Sequence, residues 1–169
     1  MAKKRGGSQG STQATVALAK LGIPFEARGY AHGPAVTDFG REAAEALGLP
    51  AERVFKTLLA EVEGGAGAGL VVGIVPVSGM LDLKALAVTV GARRAAMADP
   101  ALAERKTGYV VGGISPIGQR TRLRTVLDDS ALGFDTVLVS GGRRGLDIEL
   151  APADLVRATD ALTAAIARV

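Results

Sequence analysis

The sequence contains no cysteine, which excludes a disulfide framework, a thiolate metal site and a cysteine nucleophile carried by the protein. Histidine is nearly as scarce: His32 stands alone, so no multi-histidine metal site exists within one chain and no metal is expected. Tryptophan is absent and aromatic residues make up 4% of the chain, leaving the core to Ala, Val, Leu and Ile. The longest apolar run, residues 70–77, is broken by Gly73 and Pro76 and is far too short to span a bilayer. The basic start, Lys3-Lys4-Arg5, leads into GGSQGSTQ and not into an apolar segment. No secretory signal is read there, and a cytoplasmic protein is the expectation.

What is present is globular in character. The chain has 169 residues, 48% apolar and 22% charged, enough for one domain with a real core. Its 23 glycines are roughly twice the ~7% average usage and, without a Gly-X-Y period, signal tight turns and close backbone approaches. Net charge is +3, equal to the contribution of Lys3, Lys4 and Arg5. The body is nonetheless uneven: residues 82–124 hold eight basic residues against Asp82, Asp99 and Glu104, a regional +5. Such an excess suits an anionic partner such as nucleic acid, or is a solvated face balanced by acids elsewhere.

Punctuation by caps and turns divides the chain. Residues 1–10 read as a disordered tail, with the folded domain over 11–169. Ser11 or Thr12 caps a helix through about Leu21 that Gly22 and Pro24 close. A strand over 25–30 leads to the loop AHGPAVTD, after which Thr37 or Asp38 caps a helix over 40–47, stopped at Gly48. Two apolar strands, 53–62 and 70–77, flank a glycine turn. Residues 81–90 have helical spacing, 92–98 are extended, and Asp99-Pro100 opens another helix. Strands over 124–127 and 136–140 follow; the latter pairs across GGRRG with 146–150, and Pro152 opens a helix expected to reach about Val169. Without regular βαβ alternation, this predicts a single α/β (α+β) domain on a mixed, largely antiparallel sheet flanked by helices.

Several residues bear chemistry. Alternation in VFKTLLA places Val54, Lys56 and Leu58 on one face and Phe55, Thr57 and Leu59 on the other. Lys56 within an apolar face either snorkels at a sheet margin or lines a pocket, where it would bind phosphate or stabilise charge on a carbonyl oxygen. The turns from Gly112 to Gly118 and from Ser140 to Gly145 carry paired glycines whose N–H groups can converge on an anion; neither matches a P-loop or GxGxxG, and tight connections are the plainer reading. Asp147 alternates with Leu146, Ile148 and Leu150, which by itself describes the wet face of an amphipathic strand. Tyr30 and His32 sit where a strand exits into a loop. No spacing supports a triad of Ser115 or Ser140 with His32.

Taken together, YAHGP, TDFG, EAAEALGL, VFKTLLAEV, IVPVSGMLDLKALA, MADPALAERKTGYVVGGISPIGQ and VSGGRRGLDIELAPADL resemble, in collinear order from about Lys20 to Leu155, the YbaK/EbsC family of bacterial aminoacyl-tRNA deacylases. The resemblance implies the curved mixed sheet of the editing domain of bacterial prolyl-tRNA synthetases. It implies trans-editing: hydrolysis of the ester in mischarged Cys-tRNA(Pro), and in Cys-tRNA(Cys), without a cofactor. By the same resemblance Lys56 is the key lysine, acting with Asp147 and Tyr30. Phe39 and Thr57 line the pocket, Gly112, Gly113, Ile114 and Ser115 face the terminal adenosine, and Ser140 with Gly141 contacts substrate from the last hairpin. Implied partners are the tRNA acceptor end and prolyl-tRNA synthetase.

An activated ester needs positioning and an oxyanion environment more than a metal. Attack by the substrate's own thiol and attack by a bound water both fit. Deacylation of another small aminoacyl group, such as Ala-tRNA(Pro), and a non-catalytic tRNA- or synthetase-binding module are the competing functions.

Overall fold

A computed structural model describes residues 11–169; the tail expected over residues 1–10 lies outside them. Helix α1 (Gln13–Leu21) starts where Thr12 and Thr15 form a reciprocal capping box and ends at Gly22 in the left-handed conformation, which glycine adopts without a Cβ penalty. Strand β1 (Glu26–Gly29) follows. Helix α2 (Phe39–Leu47) begins at Asp38, whose carboxylate accepts from the Arg41 N–H, and so starts one residue before the expected span.

The central hairpin is β2 (Phe55–Glu63) against β3 (Gly69–Pro76). A short β4 (Met80–Leu81), helix α3 (Leu83–Thr89), β5 (Arg94–Met97) and helix α4 (Pro100–Thr107) come next. After the glycine-rich segment stand β6 (Arg124–Asp128), a 3-10 turn, β7 (Val137–Arg143), β8 (Leu146–Leu150) and helix α5 (Pro152–Thr159). One five-stranded sheet has the order β5-β2-β3-β6-β9, with β9 being Leu162–Ala164. Its β2 pairs are antiparallel, whereas β3–β6 and β6–β9 are parallel. A second, antiparallel sheet has the order β1-β8-β7. The two meet at a single parallel bridge between Val54 and Leu138, so the expected mixed, largely antiparallel architecture is present but folded into two sheets with a junction beside β2.

The C-terminal helix is shorter than expected. It stops at Thr159, where Asp160 takes a left-handed φ of 56°; Asp is among the few residues that tolerate this. The chain then forms β9 beside β6, and β10 (Ala167–Arg168) beside β4. Tertiary pairing overrides the helical propensity of ALTAAIARV: Ile166 is fully buried, and the Asp128 carboxylate accepts from the N–H groups of Ile166 and Ala167 at 2.9 Å each. The main core joins both sheets through Leu18, Phe55, Leu59, Ile74, Leu127, Val139 and Ile148.

Candidate active site

The junction of the two sheets opens into a cavity of about 480 Å³, within the usual range for small-molecule sites. β2 runs along it, contributing Phe55 to Leu59, with Val54 just before it. β1 supplies its neighbour Tyr30, α2 supplies Phe39, β7 supplies Ser140, β8 supplies Asp147, and the glycine loop adds Gly112 and Ile114. Tyr30, Phe39, Lys56, Thr57, Gly112, Ile114, Ser140 and Asp147, all singled out from the sequence, thus surround one space. Gly113, Ser115 and Gly141 do not line it. Ser115 is fully buried and its Oγ accepts from the Ile117 N–H. The Gly141 carbonyl accepts from Thr12 Oγ1 at 2.6 Å.

Lys56 is half-buried at the cavity wall, and its ammonium makes no hydrogen bond or ion pair among the described residues. Of the two readings of this lysine, pocket lining is the one observed. An ammonium without a protein counter-ion, on a strand anchored by β3, is available to an anionic or carbonyl oxygen.

Two carboxylates on β8 are set apart by their neighbours. Glu149 receives Arg28, Arg53 and Thr136, the last two at 2.6 Å each. Burial works to raise its pKa, but hydrogen bonds from Thr136 and Arg28 and the charges of Arg28 and Arg53 outweigh that and hold it low. Asp147 lies directly opposite Arg28 in register, yet that guanidinium is committed to Glu149. Asp147 is only 5% exposed, and burial pushes its pKa up to about 7. The wet-face reading of Asp147 fails because both faces of β8 are packed: Leu146, Asp147, Ile148 and Leu150 are all buried. Burial, and then the Asp147 charge, raises the Tyr30 phenol to about 12, which keeps it a neutral hydrogen-bonding group.

The mouth of the cavity is braced by an arginine. Arg144 lies 4.7 Å over the Phe39 ring, a cation–π contact, and donates from Nε and Nη2 to the Val111 carbonyl at 3.0 and 2.6 Å. This ties the glycine loop to the β7–β8 hairpin. A Cβ on Gly112 would lie 2.8 Å from the Arg144 Nε and 2.9 Å from the Phe39 ring, and one on Gly113 would lie 2.7 Å from the Arg143 Cα. The tight-connection reading of these glycines therefore describes their packing. His32 is held outside the cavity, with Nδ1 2.7 Å from the Glu42 carboxylate, which also accepts from the Gly33 N–H. Ser140 stands opposite Asp147 in the β7–β8 register, but among the described residues neither cavity-lining Ser140 nor buried Ser115 is hydrogen-bonded to a histidine or carboxylate; the Ser140 Oγ accepts from the Gly142 N–H.

Sequence reasoning missed the apolar end of the cavity, built from Met97, Ala98, Pro100 and Ala103 where β5 passes into α4. The Asp99-Pro100 helix start was the available signal, but only the register of β5 on β2 brings it to the site. It also missed Arg144. Of the basic residues in the +5 segment, Lys84, Arg93, Arg94, Arg105, Arg120, Arg122 and Arg124 are exposed; Arg94 pairs with Glu63 and Arg122 with Asp160.

Known proteins are similar to this chain. The chain is 35% identical over 160 residues to EbsC of Enterococcus faecalis, described as a candidate Cys-tRNA(Pro)/Cys-tRNA(Cys) deacylase, covering 95% of this chain and 94% of that one. It is 31% identical over 103 residues to the multifunctional Ser/Thr-tRNA deacylase ProXp-y of Escherichia coli, covering 60% of this chain and 62% of the other. A solved structure described as a candidate trans-editing enzyme for prolyl tRNA synthetase superposes with a TM-score of 0.76 at 24% identity, covering 99% of this chain and all of that one; at that identity the likeness shows the fold alone. The aminoacyl-tRNA editing domain model matches residues 34–158. That span runs from the loop before α2 to α5 and takes in every cavity-lining residue but Tyr30. With a cavity at the sheet junction and a full-length relative beside it, the chain belongs to the aminoacyl-tRNA editing domain family.

Proposed function

We propose that this protein is a free-standing deacylase that removes cysteine from mischarged tRNA, with Cys-tRNA(Pro) and Cys-tRNA(Cys) as its substrates. The observation that carries the reading is the Lys56 ammonium facing a cavity in which, among the described residues, no serine or threonine hydroxyl is hydrogen-bonded to a base. That arrangement favours hydrolysis by a group the substrate or solvent brings. The full-length likeness to the Enterococcus protein supplies the substrate class.

Lys56 stabilises the negative charge that develops on the ester carbonyl oxygen, a contact worth most where water is excluded. The substrate sulfur attacks the acyl carbon. The sulfur–carbon bond forms, the bond from that carbon to the terminal ribose oxygen breaks, and the thiol proton passes to the departing oxygen. Asp147, with a pKa of about 7, holds or accepts a proton near neutrality and is placed to relay it. A free thiol with a reference pKa of about 8.5 is already a few per cent thiolate at neutral pH. The exposed basic residues of the 82–124 segment contact the acceptor stem, and prolyl-tRNA synthetase is the partner that would deliver the mischarged tRNA.

Single-turnover deacylation of Cys-, Ala-, Ser-, Thr- and Pro-tRNA(Pro) tests this. Rapid loss of Cys with Ser spared is expected, and Lys56→Ala should slow it by about a hundredfold or more, the loss seen when an oxyanion-stabilising group is removed, with an unchanged circular dichroism spectrum. Equal loss of Ser and Thr would replace thiol assistance with water attack. Salt-sensitive tRNA binding without turnover of any ester would replace the enzyme with a binding module.

A further inference from the structure

Main-chain polar groups of alternate strand residues point to opposite edges. In β2 the even-numbered residues face β3: the Val77 N–H donates to the Val54 carbonyl at 2.8 Å, which makes Val54, Lys56 and Leu58 the hydrogen-bonded members of that ladder. Odd-numbered residues face the other edge. There the Arg53 carbonyl accepts from the Leu138 N–H at 3.1 Å, and the Leu59 carbonyl from the Ala98 N–H at 3.0 Å. β5 itself pairs with β2 only from Ala60 onward. Between these two closures Thr57 has no strand partner on that edge. Thr57 lines the cavity, and its Oγ1 is also buried without a hydrogen-bond partner. The Oγ1 is thus unspent at the site, and among the described residues the Thr57 N–H and carbonyl enter no strand pairing on that edge, which leaves them open to a ligand.

We propose that Thr57 is the main-chain anchor of the aminoacyl group, a proposal that rests on the editing reading above. The substrate amino acid pairs with it as a strand of one residue. Its ester carbonyl accepts from the Thr57 N–H, and its α-ammonium donates to the Thr57 carbonyl. An antiparallel hydrogen-bonded pair exchanges this same set of bonds, and addition of a segment to an open sheet edge is a recurrent mode of recognition. The N–H places a donor on the oxygen where charge develops, complementing Lys56 from the neighbouring position.

The pairing also sets where the substrate side chain goes. Opposed residues of an antiparallel pair project to the same face, so an L-aminoacyl side chain stands on the face of Phe55, Thr57 and Leu59. Ala98, Ala103 and Ile114 line the cavity; Ala103 belongs to the core cluster that contains Phe55 and Leu59, and Ala98 and Ile114 pack against it. These walls favour a short side chain, with Thr57 Oγ1 as a partner for its thiol or hydroxyl.

The test is a titration of the full chain, labelled with nitrogen-15, using three probes: 3′-deoxy-3′-(L-alanylamino)adenosine, its propionyl counterpart lacking the α-amino group, and adenosine. The alanyl probe should shift the Thr57 amide resonance and slow its hydrogen exchange, while adenosine leaves it unmoved. The propionyl probe should bind about tenfold more weakly, the loss of one charge-assisted hydrogen bond. A Thr57 amide that stays put while those of Gly112 and Ser140 move overturns the anchor, as does equal affinity for the alanyl and propionyl probes. Either result alongside normal Cys-tRNA turnover leaves the editing function standing without it. If no cavity amide answers any probe and no aminoacyl-tRNA is hydrolysed, the anchor and the editing reading fall together.

Discussion

Asparagine in place of Asp147 should make the protein more stable near neutral pH, and the gain should itself depend on pH. Burial lifts the folded-state pKa from the ordinary carboxylate value of 3.8 to about 7. Between those values the folded state holds a proton that the unfolded state has released, so stability falls as pH rises through this window. Below the unfolded value both states are protonated and the cost vanishes; above about 7 the full cost of a buried, uncompensated carboxylate is present. At 1.36 kcal/mol per unit the plateau is about 4 kcal/mol, a large share of the ~5–15 kcal/mol that stabilises a typical domain. Asparagine keeps the shape and cannot ionise. Urea unfolding of wild type and Asp147→Asn at half-unit steps from pH 4 to 8.5 gives the difference directly, because the other carboxylates cancel in the subtraction. The two curves should run together near pH 4 and diverge toward pH 7, with the variant the more stable. Parallel curves over the whole range would refute the assignment of a raised pKa to Asp147.

Arg144→Met keeps much of the stem but loses the contact to Phe39 and both bonds to the Val111 carbonyl. The glycine loop should loosen, raising KM for aminoacyl-tRNA several-fold while kcat changes less, as steady-state kinetics would show. Gly113→Ala places a Cβ against the main chain of Arg143, and overpacking of this sort costs about 1–3 kcal/mol, readable as a lower urea midpoint with an unchanged slope. Asp128→Ala orphans the N–H groups of Ile166 and Ala167. A cost of about 1–3 kcal/mol should appear with faster hydrogen exchange confined to the last strands.

Local signals carried much of the fold. Thr12, Asp38 and Gly48 stand where the caps were read, and the β2–β3 and β7–β8 hairpins follow from glycine turns between apolar runs. Lys56 was conspicuous because a charge interrupts an apolar alternation. Asp147 was misjudged on the same logic: alternation tells one face from the other but not whether the second face is covered, and in β8 it is. The Met97 to Ala103 wall depends on register between distant strands, which has no local signature. The C-terminal segment reads as helix because Ala-rich sequence favours helix, yet burial of Ile166 and the Asp128 carboxylate pull it into the sheets.

The pairing of β1 bears on how the molecule is made. Glu26 stands opposite Glu149 and Gly29 opposite Leu146, so the second sheet closes a strand near the start of the chain onto one near its end. A chain emerging from the ribosome can form the β2–β3 hairpin early, but β1 has no partner until β8 has been synthesised, and contacts of such long separation form slowly. Tyr30 and Asp147 enter the cavity together with these two strands. A nascent chain halted before β8 therefore lacks the Asp147 wall and the strand on which β1 is seated, and the cavity is among the last things the molecule acquires.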